Sequence, residues 1–188
     1  MLELSEEEFQ TLARDVDVIL HMGAVRSFWD NYHVLRPTSV FSTRELVRLA
    51  APRQIPIHYV SAAGVLSRGG EPDSLAASVF AHVPATDGTD GYVATRWASE
   101  RILERAASEL GLPTTVHRFV PSRSPNGGFD LDGFVSFVDK LRIMPDFSGW
   151  EGRFDMFPAE QLAKWLCEAL LEERPGDNRT PAPKHAPY

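Results

Sequence analysis

The sequence predicts an α/β protein with a parallel sheet, from short apolar runs of strand length and from helix-like stretches, opened by capping signatures, that separate them. Val16-Asp17-Val18-Ile19-Leu20, Ile55 to Val60 and Thr114 to Phe119 are the strand-like runs. Strands separated by helices pair side by side in parallel rather than as hairpins.

Each element has its own justification. Ser5 followed by Glu8 is a capping box and opens a short acidic helix whose Glu6-Glu7-Glu8 suits the positive end of the helix dipole. The run Val16 to Leu20 is bounded on its far side by Gly23. Ser42 and Glu45 repeat the capping signature ahead of Leu46, Val47, Leu49 and Ala50, with Pro52 ending that helix. Ile55-Pro56-Ile57-His58-Tyr59-Val60 reads as a buried strand, its proline near the start where a missing donor is tolerated. From Ser67 to Gly91 no period is visible, which predicts a loop over a site. Ala98, Ile102, Ala106 and Leu110 make the apolar stripe of a long helix that stops at Gly111 and Pro113. Phe129 to Ile143 and Pro158 to Glu173 are read as helices. The organisation expected is one domain over 1–173 and a Pro-rich, frayed tail over 174–188.

Composition excludes several function classes. The 188 residues carry a formal charge of −7, which disfavours nucleic acid and anionic membranes as partners. No apolar run approaches the roughly 20 residues of a membrane span, and the acidic N-terminus is unlike a signal peptide, so a cytoplasmic protein is expected. Cys167 is the single cysteine, and its neighbours Ala163, Leu166 and Leu170 predict a packed core thiol. The six histidines, His21, His33, His58, His82, His117 and His185, show no ligand spacing, so no metal is expected. Trp29, Tyr32, Phe80, Phe129, Phe134 and Phe137 are candidates for an apolar pocket, with core packing as the simpler role of each.

Four segments in order carry a resemblance: His21-Met22-Gly23-Ala24, His58 to Val65, Gly91-Tyr92 to Glu100, and Val116-His117-Arg118. Together they resemble extended short-chain dehydrogenase/reductases. Ser42 to Leu46, Ile55 to Ser61, Met144 to Trp150 and Phe154-Asp155 narrow this to thioester reductase domains that release products from fungal hybrid polyketide synthase–nonribosomal peptide synthetases. The likeness runs from about Leu4 to Leu170. It implies a truncated Rossmann-like sheet, without the Gly-rich strands that hold a cofactor pyrophosphate and without part of the C-terminal substrate subdomain. NADPH binding is therefore expected to be lost.

In the resembled family a Ser or Thr hydroxyl polarises the carbonyl, a Tyr donates the proton, a Lys lowers the Tyr pKa and holds the ribose, and an Asn anchors a water relay. Here the hydroxyl position falls on Ala62, the Lys on Arg96 and the Asn on Ser39, while Tyr92 is retained. Tyr92 and Arg96, four apart on a helix, are the candidate catalytic pair, acting as acid or base or stabilising an oxyanion. The competing interpretation makes Tyr92 a remnant and Arg96 a surface partner of Glu100. His21, Ser61, Arg118 and Phe119 are the candidate substrate-binding residues: His21 ends the first strand, where ligands of open sheets collect, although a packed histidine bonded to backbone is the simpler reading. Ser61 is expected on the strand face opposite Ala62. Phe119 replaces the family's Pro and is expected to crowd the nicotinamide side of the pocket.

Three functions follow from the resemblance: redox-neutral ring closure of a polyketide–amino acid intermediate, such as Dieckmann-type cyclisation; an NADPH-dependent thioester reductase completed by another chain; or a non-catalytic binding module. The first is preferred, with no cofactor, a small-molecule or carrier-bound substrate, and a homodimer covering the exposed edge of the sheet.

Overall fold

The computed structural model describes residues 4–25, 27, 30–65, 91–119, 122–123, 136, 138–144, 146, 148–149 and 157–172. They fall into two compact units, a larger one within Met1–Arg118 and a smaller one within Phe119–Glu172.

The larger unit runs α1 (Glu6–Asp15), β1 (Ile19–His21), α2 (Tyr32–Ala50), β2 (Ile57–Ala62), α3 (Gly91–Leu110) and β3 (Thr114–Phe119). Its sheet has the order β1-β2-β3 and is parallel, with Ile19 beside Ile57, Leu20 beside His58 and His21 beside Tyr59. This is the expected α/β architecture, and strict alternation along β2 divides its side chains between two faces. Ile57 and Tyr59 join Leu49 and Ala50 of α2, Leu103 and Ala106 of α3, and Ile55 and Leu112 in one core. Phe9, Ala13 and Val16 of α1 and its C-terminus pack against that core from one side.

The Ser5–Glu8 capping box opens α1 as expected, with both reciprocal hydrogen bonds made. The other end of α1 is held by Arg53, whose Nη1 donates to the carbonyls of Ala13 and Val16 at 3.2 Å each. The second capping signature is a correction. Helix α2 starts eleven residues earlier, capped by Asn31 Oδ1, which accepts from the amides of His33 and Val34. Ser42 therefore lies inside the helix, where its hydroxyl bonds back to the Thr38 carbonyl at 2.6 Å. The helix ends where Pro52 enters a 3₁₀ turn, Ala51–Arg53.

Helix α3 corrects a second expectation. Its buried positions are Gly91, Thr95, Arg96, Ser99, Glu100, Leu103 and Ala106; of the expected stripe only Ala106 is among them, Ala98 and Ile102 are not, and Leu110 is 52% exposed. Small hydroxyl residues form the surface it shares with α2. Ser99 Oγ donates across to the Ser39 carbonyl at 3.1 Å, while Thr43 and Thr95 bond back into their own helices. Close approach begins at Gly91, where a Cβ would collide with the Asp30 carbonyl oxygen and the Asn31–Tyr32 backbone.

The smaller unit holds β4 (Ser122–Arg123) paired in parallel with β5 (Phe157–Pro158), followed by α4 (Ala159–Glu172). Helix α4 occupies nearly the expected span, but Cys167 is exposed rather than packed. Leu166 takes the buried position, and the next residue, about 100° around the helix, falls on the side of the exposed Lys164 and Glu168. The expected loop over 67–91 lies outside the described residues except at Gly91, where α3 starts. The tail from 174, most of the expected 129–143 helix, and Trp29, Phe80, Phe129, Phe134 and Phe137 also lie outside them. Tyr32, the first residue of α2, is half-buried. No helix among the described residues is long and apolar enough to cross a membrane.

Candidate functional site

Parallel pairing of β1 with β2 places His21 next to Tyr59, and the two rings lie 5.1 Å apart, tilted by 43°. Helix α3 brings Arg96 to the same face of β2. The Arg96 Nη1 donates to the Tyr59 hydroxyl at 3.1 Å and to the Val60 carbonyl at 2.9 Å. The guanidinium carbon sits 5.5 Å from the Tyr59 ring centre and 5.1 Å from that of Tyr92, so the cation lies between two aromatic rings. Tyr92 is half-buried in the first turn of α3.

Arg96 is thus buried, at 5% exposure, and is not the surface partner of Glu100 that the helical spacing suggested. Its Nε is sealed from solvent without a hydrogen-bond partner among the described residues, as is Ser39 Oγ. Burial works against the charge on Arg96, but the Tyr59 and Tyr92 phenols outweigh it, and its pKa rises. Burial pushes the Tyr59 phenol upward, against the pull of Arg96, so Tyr59 stays a hydroxyl. Burial and then the Arg96 charge bring the His21 pKa down to about 4. His21 is a packed histidine, but its partner is a side chain rather than backbone: Nε2 lies 2.9 Å from Thr43 Oγ1.

One turn along α3, a second polar cluster forms around Glu100, which is fully buried. Arg118 of β3 donates to its Oε2 from Nε at 3.0 Å and from Nη2 at 2.6 Å, and Ser61 Oγ donates to Oε1. The Ser61 hydroxyl points to the α3 side of β2, as alternation requires. Two of the sequence candidates, Ser61 and Arg118, therefore meet on Glu100. Tyr92 and Arg96 meet each other, and His21 joins them through Tyr59. Phe119 is half-buried at the end of β3.

Sequence reasoning missed Tyr59, Thr43 and Glu100. A signal for Tyr59 was present in the alternation of β2, which puts residues 57, 59 and 61 on one face. On the opposite face His58 and His117 stack at 5.2 Å with their rings 12° apart, and Nδ1 of His58 lies 2.9 Å from Nε2 of His117.

Comparison with known proteins agrees with this fold. Residues 1–166 match the model of a family described as Male sterility protein. The hybrid PKS-NRPS synthetase thnA of Trichoderma harzianum is 52% identical over 183 residues, which cover 94% of this chain and 4% of that protein. The hybrid PKS-NRPS synthetase traA of Penicillium crustosum is 54% identical over 175 residues, 91% of this chain and again 4% of that protein. The chain thus spans a small fraction of the length of the curated relatives it matches. Among solved structures, the terminal R domain from the myxalamid PKS-NRPS biosynthetic pathway is similar at 30% identity and a TM-score of 0.67, over 92% of this chain and 44% of that one. A thiolation-reductase di-domain from an archaeal non-ribosomal peptide synthetase shares the fold, with a TM-score of 0.66 at 20% identity over 86% of this chain and 37% of that one.

Proposed function

This chain belongs to the Male sterility protein family, and from that premise we propose that it serves polyketide–amino acid biosynthesis by closing a ring without redox chemistry. The substrate is a β-ketoacyl-aminoacyl thioester. Its acidic carbon, between ketone and amide carbonyl, loses a proton, and the enolate attacks the thioester carbonyl. A C–C bond forms, the C–S bond breaks, and the thiolate leaves and takes up a proton. No oxidant or reductant enters the balance.

The observation that carries this reading is the fixed Arg96–Tyr92 pair. The Arg96 cation is held by Tyr59 and Val60 beside the Tyr92 phenol. A positioned phenol next to a permanent cation suits an enolate or a tetrahedral oxyanion, since both gather negative charge on oxygen. The same positions argue against a nicotinamide, since Ala62 brings no hydroxyl to polarise a carbonyl. Tight positioning supplies the rest of the rate enhancement.

A second reading, NADPH-dependent reduction of the thioester, is favoured by the likeness to the myxalamid R domain. One experiment separates the two: incubation of the pure protein with a synthetic β-ketoacyl-aminoacyl thioester, without and with NADPH, followed by mass spectrometry. Ring closure predicts loss of thiol alone in the absence of cofactor. Tyr92→Phe is expected to lower that rate by about 10²-fold, the scale for losing a positioned acid or one oxyanion donor. Arg96→Lys is expected not to produce reduction. An aldehyde or alcohol formed only with NADPH establishes the reductase, and equal rates for wild type and Tyr92→Phe overturn the catalytic assignment.

A further inference from the structure

The hydrogen bonds around His21 bear on which of its nitrogens carries a proton. Thr43 Oγ1 has a single proton and lies 3.1 Å from the Ser39 carbonyl, one helical turn back, and 2.9 Å from His21 Nε2. With that proton directed to the Ser39 carbonyl, Oγ1 meets the ring as an acceptor and Nε2 is the donor. A neutral imidazole with a proton on Nε2 has a bare lone pair on Nδ1. Nδ1 makes no hydrogen bond among the described residues.

Gly23 lies against that edge of the buried ring. Its φ is not in the left-handed region, unlike that of Gly111, so its backbone does not call for glycine. A Cβ at Gly23 would instead lie 3.5 Å from Cε1 and 3.6 Å from Nδ1 of His21, in contact with the edge that carries the lone pair. His21 is also the last residue of β1, at the C-terminal end of a parallel strand, where ligands of open α/β sheets bind.

We propose that His21 Nδ1 is a fixed hydrogen-bond acceptor that selects a substrate by its N–H group, the amide of the acyl–amino acid chain. The identity of the donor rests on the ring-closure reading; the tautomer and the bare acceptor do not. Tyr59 keeps the ring in place from one face, and burial and then the Arg96 charge oppose a second proton on it. A neutral acceptor of this kind orients the amide without removing its proton, so His21 is a specificity-determining residue and not the base.

The test uses the whole chain with ¹⁵N-labelled histidine. A long-range ¹H–¹⁵N correlation at pH 7 is expected to show His21 neutral with its proton on Nε2. Thr43→Ser should keep that state and Thr43→Val should weaken it. Two synthetic probes follow: an N-acetoacetyl-alanyl thioester and its N-methylated counterpart, which lacks the amide N–H. The first is expected to move the Nδ1 resonance and bind roughly tenfold more tightly, the worth of one hydrogen bond; Gly23→Ala, which only adds a van der Waals contact at the ring edge, should narrow that ratio. A proton on Nδ1, an imidazolium at pH 7, equal binding of both probes, or binding of neither overturns the proposal. Discrimination between the probes with no cyclised product would leave the acceptor site standing and remove the ring-closure reading. Cyclisation of both with equal binding would do the reverse.

Discussion

Arg96 illustrates how one side chain changes what a site is able to do. A lysine on a flexible stem reaches outward and exchanges partners, whereas the guanidinium here is clamped between two rings with Nη1 shared by a hydroxyl and a carbonyl. Burial, and after it the charge of Arg96, also sets the state of His21. An unfolded histidine titrates near 6.5 and His21 in the fold near 4, so between those values the unfolded chain binds more protons. The stability this contributes is fully present above pH 6.5 and is lost as pH falls through 6.5 toward 4, a total of about 3 kcal/mol. Urea unfolding of wild type and His21→Gln at stepped pH should show the difference between them narrowing over that window. A difference that does not change with pH would mean that His21 is accessible to protons in the fold.

Helix α3 is tied to the sheet by charge as well as by its apolar Leu103 and Ala106. Glu100 is fully buried, and its partner Arg118 has only 8% of its side chain exposed, with Ser61 donating to the other carboxylate oxygen. Removing one member leaves the other charge buried and unpaired, which costs about 3–5 kcal/mol, whereas replacing both by apolar groups of similar size costs far less. Glu100→Gln is therefore expected to be strongly destabilising in chemical denaturation, and the double variant Glu100→Met/Arg118→Met to recover most of the loss. Additive losses in the double variant would show that the pair acts independently. The start of α3 offers a second test. Gly91→Ala places a methyl group where the Asp30–Tyr32 backbone runs, so α2 must shift at its Asn31 cap. A loss of about 1–3 kcal/mol is expected, the scale of overpacking; unchanged stability would show that the two helix ends separate without cost.

For the whole molecule, the β1 edge of the sheet, unpaired among the described residues, is the feature with consequences. Among the described residues β1 pairs only with β2, and Val18, Leu20 and Met22 along that edge are 36%, 37% and 53% exposed. Apolar strand edges associate. We expect this chain to self-associate through β1 at micromolar concentration in size-exclusion chromatography with light scattering, and Leu20→Lys to shift it toward monomer. A wild-type monomer would show that the edge is covered within the chain.

Much of this was legible in the residues themselves. The alternation of apolar runs and helical patterns determined the parallel α/β class, the Ser5–Glu8 box determined the start of α1, and Tyr92 and Arg96 at a four-residue spacing determined that they share a face, because each depends on contacts between residues close in sequence. The second cap was misplaced at Ser42 because a serine followed by a glutamate three residues on has the same local pattern inside a helix as at its start, and only the Asn31 bonds distinguish the two. Helix α3 misled for a related reason. An apolar stripe marks the buried face only when the core is apolar, and here Arg96, Ser99 and Glu100 are buried because α2, β2 and β3 supply partners for their polar groups. Those partners are Ser39, Tyr59, Val60 and Arg118, between 18 and 60 residues away along the chain. Tertiary structure alone decided that Arg96 is an interior cation and that Glu100 belongs to Arg118, since the energy of a buried polar group depends on the groups that surround it in space.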